Sequence, residues 1–158
     1  SLLNCRIDGL NNYKPDLFII DLNLKLKKNL LLNRLIKKRK TYIITKQVND
    51  NKTLIYKKKG YKIMLVDSLT NKKDFNLLFK KIYKLGYCRA FIESGLTFLN
   101  SLIKNKLIHE MFIFKSSNFL GRNGKNNNSS KFLRNIKPKI SLFHLDEDKL
   151  YRKEFKNV

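Results

Sequence analysis

The residues best suited to hold a ligand lie in one short stretch, residues 91–100, FIESGLTFLN. Glu93 and Gly95 stand where an apolar run gives way to a helical pattern. The amide groups and the dipole at a helix start attract anions, phosphate above all. Gly95 has no Cβ and allows an anion close to the backbone. Thr97 adds a hydroxyl donor, and Glu93 can accept hydrogen bonds from ribose or amine groups. An ordinary solvated turn has the same composition, so these residues alone leave an anion site and a turn both open.

The elements around this stretch follow from the apolar periodicity. Apolar runs predict strands at residues 16–21, 41–45, 61–66, 87–93 and 110–117. Apolar residues at steps of three and four predict helices at residues 72–85 and 96–107, and Gly86 is expected to close the first in a left-handed conformation. Residues 29–40, NLLLNRLIKKRK, favour a further helix less clearly. Residues 49–52, NDNK, predict a turn.

The end of the chain has a different character. Residues 121–130 are rich in Gly and Asn and predict a mobile surface loop. Residues 139–158 alternate apolar and polar residues on both sides of DED, which predicts a β-hairpin. We therefore expect an α/β fold with a mostly parallel central sheet, flanking helices and a C-terminal antiparallel β-hairpin. Ligands of such sheets bind outside the carboxyl ends of the strands, and Glu93 would lie at one such end.

Composition and charge exclude several classes of protein. The chain has 158 residues, which predicts one domain, and its 42% apolar content excludes a disordered chain. No apolar run approaches the roughly 20 residues of a membrane span. Cys5, Cys88, His109 and His144 have neither zinc-site nor disulfide-framework spacing. These features favour a protein of the reducing cytoplasm without a metal.

The net charge of +23 has two explanations. Dispersed lysines with many Asn, Ile and Leu residues are typical of an AT-rich genome. Alternatively, the charge serves to attract nucleic acid, phosphorylated metabolites or another polyanion. Tyr56, Tyr61 and Tyr83 lie among lysines and are the rings that a nucleic-acid-binding domain would use, although no known nucleic-acid-binding motif is present.

The order of motifs adds a resemblance. FIESG, LTF, LIHE and NFLG follow one another between Gly86 and Gly121 with the spacing of the reductase domain of the bacterial riboflavin-biosynthesis deaminase-reductase. LLNCR near the start, LFIID and TYIIT are similar to further segments of that family. The resemblance covers nearly the whole chain and is most specific from Gly86 to Gly121.

This resemblance implies a dihydrofolate-reductase-like fold and NADPH-dependent reduction of 5-amino-6-(5-phosphoribosylamino)uracil to the ribitylamino compound. It implies substrate contacts from Leu3, Arg6 and Glu93, with Arg6 on the substrate phosphate. It also implies that the cofactor is held by Gly95, Leu96, Thr97, Phe98, Leu99, Asn100 and Ser101. No side chain is assigned as a proton donor. On this interpretation the partners are the phosphorylated ribosylaminouracil and a second copy of the chain in a homodimer, and neither a membrane nor a nucleic acid.

Some positions depart from the family pattern. Leu22 stands where many members have Ser, which weakens the case for a cofactor hydrogen bond there. The family's first strand and helix have no counterpart, so we expect them to precede Ser1 in a reductase domain that spans residues 1–158. The deaminase signature is not found in this sequence. A sister reductase acting on the diaminopyrimidine form of the intermediate, or on a pteridine or folate, remains an alternative.

Overall fold

The fold is taken from a computed structural model, which describes residues 15–27, 30, 32–46, 50–118, 136, 140–145 and 148–155. The chain divides into two units, Ser1–Lys81 and Ile82–Val158, with the boundary inside a helix. Each unit is described by itself.

A parallel sheet organises the first unit. Its three strands pair in sequence order and are β1 (Leu17–Ile20), β2 (Thr41–Thr45) and β3 (Lys62–Leu65). The helices between and after them are α1 (Leu32–Leu35, continued by a 3₁₀ turn, Ile36–Lys38), α2 (Asp50–Lys58) and α3 (Lys72–Lys84). This alternation confirms the three strands and the long helix that the sequence predicts.

The core of this unit is built on β2, the central strand. All five of its residues are buried, and Ile43 and Ile44 are almost completely inaccessible. Because neighbouring residues of a strand point to opposite faces, both faces of β2 are covered, as is typical of parallel sheets. Tyr42 stacks on its register partner Phe18 with the ring centroids 4.6 Å apart, and the Lys62 ammonium lies 5.5 Å from the Tyr42 ring.

Two tyrosines of the first unit are part of this core. Tyr56 and Tyr61 are 8% and 3% exposed, and their rings meet edge to face at 5.6 Å. The Tyr56 hydroxyl donates to the Leu26 carbonyl at 2.9 Å, and the Tyr61 hydroxyl donates to Asn33 Oδ1 at 2.6 Å. Burial raises the pKa of both phenols. Neither ring is therefore available to stack on a nucleic acid, whereas Tyr83, the third ring among the lysines, is 67% exposed.

Helix α3 shows the apolar face that its spacing predicts. Phe75, Leu78 and Ile82 are buried, and Phe79 is half-buried, whereas Leu85 lies beyond the helix and is exposed. Gly86 follows with φ +93°, the left-handed conformation expected of it.

The start of α3 is fixed by a reciprocal cap. The Asp74 amide donates to Asn71 Oδ1 at 3.1 Å, and the Asp74 carboxylate accepts from the Thr70 amide at 3.0 Å and from the Ser68 hydroxyl. Asn71 thus caps the Asp74 amide, which has no intrahelical acceptor. The Asp74 side chain reaches back to the residue before the cap, which is similar to a capping box.

The second unit contains one further helix and an antiparallel sheet. The helix is α4 (Leu96–Lys104), and the strands are β4 (Glu110–Lys115), β5 (Ile140–Leu145) and β6 (Asp148–Glu154), ordered β4-β6-β5. Strands β5 and β6 form the predicted C-terminal hairpin, with a register irregularity between Ser141 and Phe143. The predicted loop at residues 121–130 lies outside the described residues.

Three expectations need correction. The described strands form two three-stranded sheets rather than one mostly parallel sheet, so the mixed α/β class holds and the single sheet does not. Residues 50–52 open helix α2 instead of a turn, because Asn and Asp suit helix starts as well as turns. Residues 87–93 form no strand. None of the described strands pairs with them, and an apolar run becomes a strand only where another strand takes up its backbone hydrogen bonds.

Candidate functional site

The seven residues that the resemblance assigns to the cofactor run from Gly95, directly before helix α4, to Ser101 in its second turn. Gly95 is the residue that precedes the helix, with φ −70° and ψ 164°, and its carbonyl accepts from the Leu99 amide at 3.1 Å. The first turn of α4 contains no acidic residue, and Lys104 lies in its last turn. The positive end of this helix dipole is therefore not neutralised by a carboxylate of the helix itself.

Gly95 faces open space. A Cβ built on this residue would meet no heavy atom of the structure within 4 Å outside its chain neighbours, and its φ is one that any residue adopts. Neither backbone conformation nor packing in the described structure requires a glycine here. The open space beside the backbone is what a bound phosphate would need.

The predicted cofactor residues differ in their distance from this space. Leu96, Thr97 and Phe98 form the first turn of α4, with Thr97 exposed. Ser101 lies about 7–8 Å further along the helix axis, given a rise of about 1.5 Å per residue. Its carbonyl accepts from Asn105 through both the backbone amide at 3.1 Å and the side-chain amide at 2.9 Å. Ser101 thus contributes to the closing turn of α4, and the first turn is the part placed to meet a phosphate.

Glu93 is exposed and lies two residues before Gly95. The sequence predicted it at the end of a strand, but no strand is present there. Glu93 nevertheless lies close to Gly95, because the Cα atoms of residues two apart in the chain are separated by at most about 7 Å. Glu93 and Gly95 are therefore neighbours at the start of α4.

Two other predicted substrate contacts, Leu3 and Arg6, lie outside the described residues. Arg89 is exposed four residues before Glu93, and no sequence pattern points to it. A guanidinium pairs well with phosphate oxygens, but a lone Arg among 35 basic residues gives no signal of its own in a chain of this charge.

No protein-family model matches the chain, and no curated protein matches it.

Two further findings concern the part of the chain that the structure describes. It contains no group of three or more His, Cys, Asp or Glu residues that could hold a metal ion. Among its helices, none is both long enough and apolar enough to cross a membrane.

Proposed function

We propose that this chain is an NADPH-dependent reductase of 5-amino-6-(5-phosphoribosylamino)uracil. The observation that carries the proposal is the start of α4, where Gly95 borders open space and the first turn lacks a carboxylate. This arrangement suits a cofactor phosphate at the position where the motif order FIESG to NFLG resembles the reductase family. A homodimer is part of the same proposal. Of the dihydrofolate-reductase-like fold, the described strands show the mixed α/β class but not the single central sheet.

The chain's own residues would bind and orient the reactants. Backbone amides in the first turn of α4 would donate to a phosphate of the cofactor. Glu93 would accept hydrogen bonds from hydroxyl or amine groups of the substrate, because its exposed carboxylate lies beside the helix start. When bound, NADPH would supply a hydride to C1 of the ring-opened ribose, and a proton from solvent would go to the imine nitrogen, so that the imine becomes the ribityl amine. The net charge of +23 would favour capture of both phosphorylated ligands.

The activity test is NADPH oxidation in the presence of the ribosylaminouracil phosphate. We expect turnover that depends on both compounds. The diaminopyrimidine form of the substrate and dihydrofolate serve as parallel substrates, since preference for either would favour a sister reductase. A folded protein that turns over none of the three would refute the enzymatic assignment.

A substitution at Glu93 tests whether this residue binds the substrate and not the cofactor. Glu93→Gln removes the charge and keeps the size, so we expect the KM for the substrate to rise several-fold while the Kd for NADPH stays level or falls. The Kd for NADPH can fall because the substitution removes a negative charge near the cofactor phosphate. Equal weakening of both ligands would contradict the role assigned to Glu93.

A further inference from the structure

Strands β4 and β6 separate their charges between the two faces of the antiparallel sheet. In their register Glu110 lies opposite Glu154, and Lys115 lies opposite Lys149. Side chains alternate between faces along each strand. The carboxylates Glu110, Asp148 and Glu154 therefore share one face. The lysines of the two strands, Lys115, Lys149 and Lys153, share the other. We call the second the lysine face. It carries the exposed Lys115 and Lys149 and the half-buried Tyr151 and Lys153, together with the half-buried apolar side chains of Met111 and Ile113.

The carboxylates of these strands have partners away from the lysine face. Glu110 and Glu154 both pair with Arg152, at 2.8 Å in the case of Glu154. Asp148 accepts from the Ser117 amide at 3.3 Å. Within β4 and β6, no carboxylate lies on the lysine face to neutralise its cations.

The lysine face has the geometry of a polyanion site. Lys115 and Lys149 are exposed and directly opposed, with Cα atoms about 4.5–5.5 Å apart. Like charges in this position destabilise a sheet, and an anion bound across the pair would remove that repulsion. Lys149 and Lys153 are about 13–14 Å apart along β6, at about 3.4 Å per residue. The partly exposed Tyr151 ring lies midway between them.

We propose that the lysine face binds single-stranded nucleic acid, with phosphates on the lysines and a base stacked on Tyr151. Alternation of cations and an aromatic ring is how sheets hold single strands without reading their sequence. This function is independent of the reductase proposal, and it departs from the expectation that nucleic acid is not a partner. It also uses a different ring from Tyr56 and Tyr61, which are buried.

The positions of the exposed phenylalanines argue against an anionic membrane as the ligand. A membrane surface binds proteins through apolar side chains that insert beside the cations. Phe112 and Phe114 are the large exposed apolar residues of β4, with 43% and 72% of their surface exposed. Because side chains alternate along the strand, both lie on the face opposite the lysines. On the lysine face the apolar side chains, Met111 and Ile113, are half-buried. In β4 and β6 the face therefore has no large exposed apolar side chain to insert into a bilayer, and its cations with the Tyr151 ring suit a base better.

The test is the binding of fluorescently labelled oligothymidylate to the full chain at several salt concentrations, measured by anisotropy. The double variant Lys115→Gln/Lys149→Gln is compared with the control double variant Lys57→Gln/Lys58→Gln, which removes the same charge from exposed positions of α2. We expect the first to lower the slope of log affinity against log salt by about 1.4, at about 0.7 per phosphate contact. The control should leave the slope near the wild-type value.

Tyr151→Leu tests the stacking contact separately. We expect it to weaken binding at every salt concentration by roughly fivefold or more, with the slope unchanged, because a stacked base is lost and no charge is. Circular dichroism of each variant verifies folding.

Three results would overturn the proposal: no oligonucleotide binding by the wild-type chain, equal losses in the two double variants, or tighter binding to phosphatidylserine vesicles than to the oligonucleotide. None of them depends on NADPH turnover, so this proposal and the reductase proposal fail separately.

Discussion

Substitution of Gly95 by Asp separates helix stability from phosphate binding. Asp is a better residue than Gly to precede a helix, because its carboxylate accepts from the early amides and interacts favourably with the dipole. The open space beside Gly95 and its extended backbone accommodate the new side chain without a clash. We therefore expect Gly95→Asp to leave the free energy of unfolding unchanged or to raise it by a few tenths of a kcal/mol.

The same substitution should damage cofactor binding. A carboxylate about 6 Å from a phosphate of charge about −2 is repelled by about 1.4 kcal/mol at an effective dielectric constant of 80 and by about 3 kcal/mol at 40. This corresponds to a loss of NADPH affinity of roughly 10- to 100-fold. Repulsion of this origin is screened by salt, so the loss should shrink as ionic strength rises.

Gly95→Asn is the matched control. Asn has nearly the same size as Asp and also caps helices well, but it has no charge. Isothermal titration of NADPH into the three proteins, together with urea unfolding, measures both effects. The account predicts that Gly95→Asn loses less affinity than Gly95→Asp, with both variants at least as stable as the wild type. Unchanged affinity in both variants would refute a phosphate site at the start of α4.

Two further predictions concern the fold. Gly60 and Gly86 have nearly the same left-handed φ, +96° and +93°, but a Cβ on Gly60 would lie 2.8 Å from Ile36 Cγ2, whereas one on Gly86 would meet nothing within 4 Å. Gly86→Ala should therefore lower the free energy of unfolding by about 1–2 kcal/mol through backbone strain. Gly60→Ala should lower it by about 1–3 kcal/mol more, because the new Cβ overpacks against Ile36. Equal losses in urea unfolding would contradict the contact with Ile36. Hydrogen bonds, first from Ser68 and then from the Thr70 amide, lower the pKa of Asp74 to about 2. The ionised Asp74 therefore stabilises the fold fully above its unfolded pKa of about 3.9, and this stabilisation is lost as pH falls through about 2. The Tm of the wild type should exceed that of Asp74→Asn by a constant amount above pH ~5, with the gap closing toward pH ~2; a gap that persists unchanged at low pH would count against this cap.

The sequence predicted elements well where periodicity and local chemistry agree. Helix α3 has apolar residues at helical spacing and a glycine at its end, and β2 is a short apolar run whose burial on both faces suits a central parallel strand. The C-terminal hairpin follows from alternation on both sides of a polar turn. In each case the signal lies within a few neighbouring residues.

Prediction failed where the outcome depends on distant partners. Residues 87–93 have strand-forming composition, but a strand exists only when another strand accepts its hydrogen bonds. Helix α2 buries little apolar surface, with Thr53 and Tyr56 as its buried residues, so its periodicity is too weak to outweigh the turn signal in NDNK. The division into two sheets depends on pairing between β4 and a hairpin that begins 25 residues after it, which local patterns do not encode.

The candidate site was predicted in part. The start of α4 at Leu96, directly after Gly95, agrees with the helix expected from residue 96 onward. The open space at Gly95 could not be read from the sequence, because it depends on what the rest of the fold leaves uncovered. The segregation of charge between the faces of β4 and β6 likewise depends on their register, since the lysines that meet across it are 34 residues apart in the chain.

The most direct test of the central claim is the rate of NADPH oxidation by the folded full chain with 5-amino-6-(5-phosphoribosylamino)uracil. The account predicts oxidation that saturates with both compounds, yields the ribitylamino product, and weakens in Gly95→Asp more than in Gly95→Asn. If the folded chain neither binds NADPH nor forms the ribitylamino compound, the claim of a reductase is contradicted.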